Sequence, residues 1–191
     1  MSPFFYSYLI TDPKEYGNTN DTLKQSLIKS FSNHKIDMLC FRDKETSNIE
    51  PLAKTTLEVS KQFGIKKVLI NGNIQLALKL GFDGVHLTSS QFDEIQKAKK
   101  NNLFTIISCH NEQELKQAKI LGANGASFSP IFYKENKNTP IGCDKLQSIV
   151  KAYQEDSFMI IALGGIVSKK NIQDVKKTKC SAFASIRYFV N

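Results

Sequence analysis

The sequence has no closely spaced cysteine pair, little arginine and no long apolar run, and each lack excludes something. Its four cysteines (Cys40, Cys109, Cys143 and Cys180) are widely spaced and form no C-x-x-C pair. That spacing argues against a structural zinc, a redox dithiol and a disulfide framework, and the four read as reduced thiols. No apolar stretch approaches the ~20 residues needed to span a bilayer, so no membrane association is expected. Residues Met1 to Tyr16 carry no cationic leader, and their short apolar stretch meets Asp12 and Pro13 rather than a small-residue cleavage site. A cytoplasmic location is therefore expected. Of the 26 basic residues only Arg42 and Arg187 are arginine. The lysines are scattered over almost every polar segment instead of forming a stripe. The net charge of +8 thus reads as a solvated surface and not as a nucleic-acid footprint. An excess positive field still attracts anionic metabolites such as phosphate esters.

What is present is an ordinary globular composition, 41% hydrophobic and 23% charged over 191 residues, enough for a single domain, 1–191. Two kinds of segment alternate along it. Short β-branched or aromatic runs read as eight strands: Phe5–Thr11, Ile36–Arg42, Lys67–Asn71, Gly84–Leu87, Phe104–His110, Gly125–Ser129, Phe158–Leu163 and Cys180–Ser185. Between them apolar residues recur at helical spacing, as in Leu23, Leu27, Ile28 and Phe31, in Leu52, Thr55, Thr56, Val59 and Phe63, and in Leu146, Ile149, Val150 and Tyr153. Strands that alternate with helices make parallel sheets through right-handed crossovers. Eight such units predict an α/β fold, a compact (β/α)8 TIM barrel; an open doubly wound sheet is the alternative. At about 24 residues per repeat there is little room for insertions. Pro130–Gly142 is the longest irregular stretch and reads as a functional lid. Only Arg187–Asn191 follows the eighth strand. A truncated last helix is therefore expected, with a flank left bare or covered in a homodimer.

In such a barrel the chemistry sits at the C-terminal ends of the strands. Arg42 and Lys44 follow the second strand and pair a planar fork with a point charge, which suits a phosphate or pyrophosphate; a salt bridge to a neighbouring helix is the competing reading. Asn71 ends the third strand, Ser108 and His110 the fifth, and Lys137 lies in the long loop. Gly164-Gly165 forms a strand-to-helix turn ahead of Ser168, a predicted N-cap, and can present bare N–H groups to an anion. His110 ends an apolar strand before a helix starting near Asn111, and an imidazole there can exchange protons near neutral pH. His86 reads as a structural histidine and His34 as inert. No His, Cys, Asp or Glu set has metal-ligand spacing.

Taken in order, these segments resemble the thiamine-phosphate synthase family, which includes the thiazole tautomerases. Tyr8-Leu-Ile-Thr-Asp12 is similar to its opening strand, Phe41-Arg-Asp-Lys44 to Q-L-R-E-K, and Leu69-Ile-Asn71 to L-I-N-D. Leu80-Gly-Phe-Asp-Gly-Val-His-Leu87 is similar to L-G-A-D-G-V-H-L, Ser108-Cys-His110 to S-x-H, Phe128-Ser-Pro-Ile-Phe132 to F-G-P-I-F, and Ala162-Leu-Gly-Gly-Ile166 to A-I-G-G-I. The resemblance implies a (β/α)8 barrel that takes a phosphorylated thiazole or thiamine precursor. It implies that Arg42, Lys44, Asn71 and Lys137 face a diphosphate and that Ser108 faces the substrate. Gly164, Gly165 and Ser185 join the phosphate- and substrate-binding candidates, and His110 is the catalytic candidate.

The chain departs from that pattern at defined positions. Gly72 and Gln91 stand where the synthases carry their two magnesium-binding aspartates. Magnesium is held through one or two carboxylates plus substrate phosphates, so no cofactor is expected. Cys40, Lys134, Asn136 and Ile186 replace further family residues. Three readings follow: a metal-independent thiazole tautomerase with His110 as proton shuttle, a synthase joining a pyrimidine diphosphate to a thiazole phosphate, or a non-catalytic ligand-binding or regulatory barrel.

Overall fold

A computed structural model describes residues 4–133 and 139–190. Eight parallel strands close on themselves in chain order: β1 (Tyr6–Ile10), β2 (Met38–Phe41), β3 (Lys67–Asn71), β4 (Gly84–Leu87), β5 (Phe104–Cys109), β6 (Gly125–Phe128), β7 (Met159–Leu163) and β8 (Ala182–Ser185). Closure is made by β1 against β8, with Leu9 opposite Ser185. The compact (β/α)8 barrel is therefore the observed architecture. The open-sheet alternative is excluded, because every strand has two parallel neighbours.

Seven crossovers carry helices α2 (Asn20–Asn33), α3 (Glu50–Gln62), α4 (Ile74–Leu80), α5 (Ile95–Lys100), α6 (Glu112–Ile120), α7 (Gly142–Tyr153) and α8 (Lys169–Lys177), and a single turn, α1 (Pro13–Tyr16), precedes α2. Local chemistry sets their starts. Ser168 and Thr19 accept from the backbone three residues on and form reciprocal capping boxes, and Asn111 caps α6 through Glu114 N. Each helix turns its expected apolar stripe inward: Leu23, Leu27 and Phe31 on α2, Leu52, Thr56 and Val59 on α3, Leu146, Ile149 and Val150 on α7. Phe63 departs from the expected stripe. It caps α3 and stays 41% exposed, with its ring edge against Phe31.

Strand side chains alternate between two apolar layers. Tyr8, Ile10, Met38, Cys40, Leu69, Ile106, Ile161, Ala182 and Ala184 fill the barrel interior. Leu9, Leu39, Ile70, Val85, Ile107, Ala126, Ile160 and Ala162 face the helices. Several strands are one to three residues shorter than their apolar runs, although flanking residues such as Thr11 and Ser181 still donate to the neighbouring strand. The last helix is reduced to one 3₁₀ turn, Arg187–Phe189. On that turn Phe189 is buried against Phe183 and His34, and Ser30 on α2 donates to its carbonyl at 2.7 Å.

Candidate active site

The strand phase decides which polar residues reach the mouth. Counting in steps of two from the interior residues Cys40, Leu69 and Ile106 brings Arg42, Asn71, Ser108 and His110 onto the inner side. All four line one cavity of about 510 Å³ at the C-terminal end, together with Lys44, His86, Thr88 and Gly164. The structure thus brings most of the sequence-derived candidates together. Lys137, Lys134 and Asn136 lie outside the described residues.

Arg42 makes an ion pair of the kind that competes with the phosphate reading, while still facing the cavity. It lines the cavity, and its Nη1 donates to Asp12 Oδ2 at 2.5 Å, where Asp12 is also the N-cap of α1. Thr11 Oγ1 accepts from Arg42 N and donates to Arg42 O, which locks the ends of β1 and β2 together. Lys44 is exposed beside it. Asn71 donates through Nδ2 to the His86 carbonyl at 2.8 Å.

His110 is exposed at the cavity mouth. Its Nδ1 lies 3.0 Å from the Ser129 carbonyl, which can only accept, so in the neutral ring Nδ1 carries the proton and Nε2 the lone pair. Its backbone N–H is held by Glu114 Oε2 at 2.6 Å, which ties the ring's base to the start of α6. The site therefore holds an accessible imidazole in one tautomer.

His86 sits beneath, 3% exposed, with Tyr8 Oη 3.0 Å from Nδ1, Ser127 Oγ 3.0 Å from Nε2 and Ser108 Oγ 3.3 Å from Nε2. Burial, aided by the Arg42 charge, pushes its pKa down to about 4, so the ring is neutral across the physiological range. It forms the floor of the cavity and positions Ser108. Local spacing gives no sign of Tyr8 and Ser127 in this network, although both share the inward phase of their strands.

Gly72 and Gln91, the positions at which the resemblance implies magnesium carboxylates, join the turns after β3 and β4. Gln91 Nε2 donates to the Gly72 carbonyl at 2.9 Å, and Gln91 Oε1 accepts from Thr88 N and Thr88 Oγ1 at 3.0 and 2.9 Å. A Cβ on Gly72 would lie 3.0 Å from Gln91 Oε1. Both ends of the carboxamide are thus hydrogen-bonded, and these residues do not supply the carboxylates that a hard divalent cation needs. Among the described residues no group of three His, Cys, Asp or Glu is placed to hold a metal.

A second cavity of about 390 Å³ adjoins the first and shares Leu163, Gly164 and Ile186 with it. Gly165 lies on its wall at a φ of 72°, and a Cβ there would come within 2.7 Å of Phe132 Cβ and Tyr133 O. Only glycine fits that turn. Ser185 also lines this cavity but has the outward phase of β8. Its buried hydroxyl donates to Ile166 O at 2.7 Å and accepts from Tyr188 N, so it ties the β7 turn to the exit of β8.

A closed parallel barrel with its polar residues converging on the C-terminal mouth belongs to the class of (β/α)8 proteins that use the strand-end loops as a site. The model of the thiamine monophosphate synthase family matches residues 7–189, and the chain belongs to that family. A protein of Aquifex aeolicus, whose name gives thiamine-phosphate synthase 2 as a provisional assignment, is 31% identical, with 96% of each chain covered. The thiamine-phosphate synthase of Latilactobacillus sakei is 29% identical over 94% of this chain and 82% of its own. The solved structure of a thiamine phosphate pyrophosphorylase from Pyrococcus furiosus superposes with a TM-score of 0.76 at 22% identity, covering 95% of this chain and 85% of that one, and supports the fold.

Proposed function

We propose that the chain binds a phosphorylated thiazole carboxylate at the mouth of the barrel and shifts a proton on it through His110, without a divalent cation. The observation that carries this reading is the Gln91 carboxamide closed onto Gly72, which puts a neutral strap where the coupling reaction's metal carboxylates would stand. His110 supplies what a proton shift needs. Its free Nε2 takes a proton from the substrate and returns it from the imidazolium at another atom, a contribution of ~10²–10⁴-fold. Gly164 and Gly165 lie where the substrate's phosphate would meet backbone N–H groups. None of the backbone hydrogen bonds among the described residues takes Gly165 N or Ile166 N as donor. The test is to incubate the protein with the thiazole phosphate carboxylate tautomer and follow its isomerisation by chromatography. Isomerisation by the wild type, slowed at least a hundredfold in His110→Ala, is the expected result; binding without turnover contradicts it.

A second reading is coupling of a pyrimidine diphosphate to a thiazole phosphate with loss of pyrophosphate. The names of the relatives support it more strongly than the proton shift. Arg42 and Lys44 on the cavity wall suit the charge that builds on a departing diphosphate. The donor set at residues 72 and 91 speaks for the first reading, because it leaves that charge to side-chain cations alone.

A further inference from the structure

Arg187 is the second of the chain's two arginines. It lines the second cavity together with the Gly164-Gly165 turn and Lys14. Arg42, the other arginine, has its charge partly balanced by Asp12 at 2.5 Å, and Lys14 lies 3.7 Å from Glu45. Arg187 is exposed and makes no ion pair among the described residues. Its backbone is nevertheless fixed. Tyr16 Oη donates to Ile186 O at 2.8 Å, Ser185 Oγ accepts from Tyr188 N, and Phe189 is buried with its carbonyl held by Ser30. An uncompensated guanidinium thus projects from an anchored turn onto a cavity whose glycine wall can present N–H groups. Glu15 and Asp12, the latter paired with Arg42, line the same cavity and repel anions, so an anion there depends on the unpaired arginine for its net attraction.

We infer that Arg187 is the cation that holds the substrate's phosphate group in the second cavity, with the Gly164-Gly165 turn as the neutral half of the same cradle. The inference rests on the reading that the site takes a phosphorylated thiazole. The planar fork matches two phosphate oxygens at once, which a lysine cannot do. Because the cavity is continuous with the first through Leu163, Gly164 and Ile186, a phosphate held there leaves the ring free to extend toward His110.

The experiment is titration calorimetry of the full chain, wild type, Arg187→Ala and Arg187→Lys, with hydroxyethylthiazole phosphate, with the unphosphorylated hydroxyethylthiazole, and with inorganic phosphate alone. Circular dichroism confirms that each variant is folded. Arg187→Ala is expected to weaken the phosphate ester at least tenfold and Arg187→Lys by an intermediate factor, with the unphosphorylated alcohol unaffected by either. The gap between wild type and Arg187→Ala narrows as salt is raised. Equal binding of the phosphate ester by wild type and Arg187→Ala overturns the inference and leaves the thiazole reading standing. Loss of inorganic phosphate binding in Arg187→Ala, with no thiazole bound by any form, keeps the arginine's role and removes the thiazole. Absence of phosphate binding in every titration overturns the inference.

Discussion

Gln91 and Gly72 are joined across two turns: the Gln91 carboxamide donates to the Gly72 carbonyl at 2.9 Å, and its oxygen lies 3.0 Å from where a Gly72 Cβ would be. Two positions 19 residues apart in sequence are thus neighbours at the mouth of the barrel. Paired carboxylates at these places would face each other closely enough to share a cation. A glycine and an amide instead form a strap that needs none.

Introducing the carboxylates should therefore create a divalent site. The Gly72→Asp, Gln91→Asp double variant is expected to bind Mn²⁺ at least tenfold more tightly than wild type, read by electron paramagnetic resonance of free Mn²⁺. The φ of 65° at Gly72 is tolerable for Asp. Equal Mn²⁺ affinity in both forms contradicts the account. Gln91→Ala, which strands the Thr88 and Gly72 partners, should cost about 1–3 kcal/mol in urea unfolding.

Acid should weaken the fold through His86. Its pKa is pushed down to about 4 in the folded state against 6.5 in the unfolded chain, so below pH 6.5 the unfolded state binds the extra proton. The contribution of neutral His86 is fully present above pH 6.5 and is lost progressively as pH falls toward 4, about 3 kcal/mol in all. Urea midpoints measured from pH 7 to 4 should fall accordingly. A midpoint as steep in His86→Gln as in wild type would show that another group is responsible.

Gly165→Ala should damage the β7 turn by a route other than charge. A methyl at φ 72° would press within 2.7 Å of Phe132 Cβ and Tyr133 O. The strain is of order 1–3 kcal/mol, so a lowered thermal midpoint and at least tenfold weaker binding of a thiazole phosphate are expected. Unchanged binding would remove this turn from the ligand site.

The thiols should differ in reach. Burial pushes Cys40 up to about 12 and Cys180 to about 11, and raises Cys109 further, while Cys143 is half-buried on α7. Native protein treated with an aromatic disulfide reagent at pH 8 is expected to titrate Cys143 first, and the other three only on unfolding. Rapid native labelling of Cys40 would contradict the packed interior around Tyr8.

The barrel was legible because each strand is a short apolar run, several of them closed by Gly, Asn or a helix cap, and because the longer helices repeat their apolar residues on one face. The same alternation placed Arg42, Asn71, Ser108 and His110 at the mouth. Ser185 was harder to read. It follows the interior residue Ala184 by one position, and that single step turns its hydroxyl away from the lumen toward Ile166. The Gln91 strap and the Tyr8–His86–Ser127 network were illegible for another reason. They depend on which turns and strands meet in space, and no local spacing carries that information.

The most direct measurement is the rate at which purified wild-type protein isomerises the thiazole phosphate carboxylate tautomer in excess chelator, beside a parallel reaction with pyrimidine diphosphate and magnesium. The account predicts isomerisation unchanged by the chelator and lost in His110→Ala. Magnesium-dependent formation of thiamine phosphate, with no isomerisation in chelator, would contradict it.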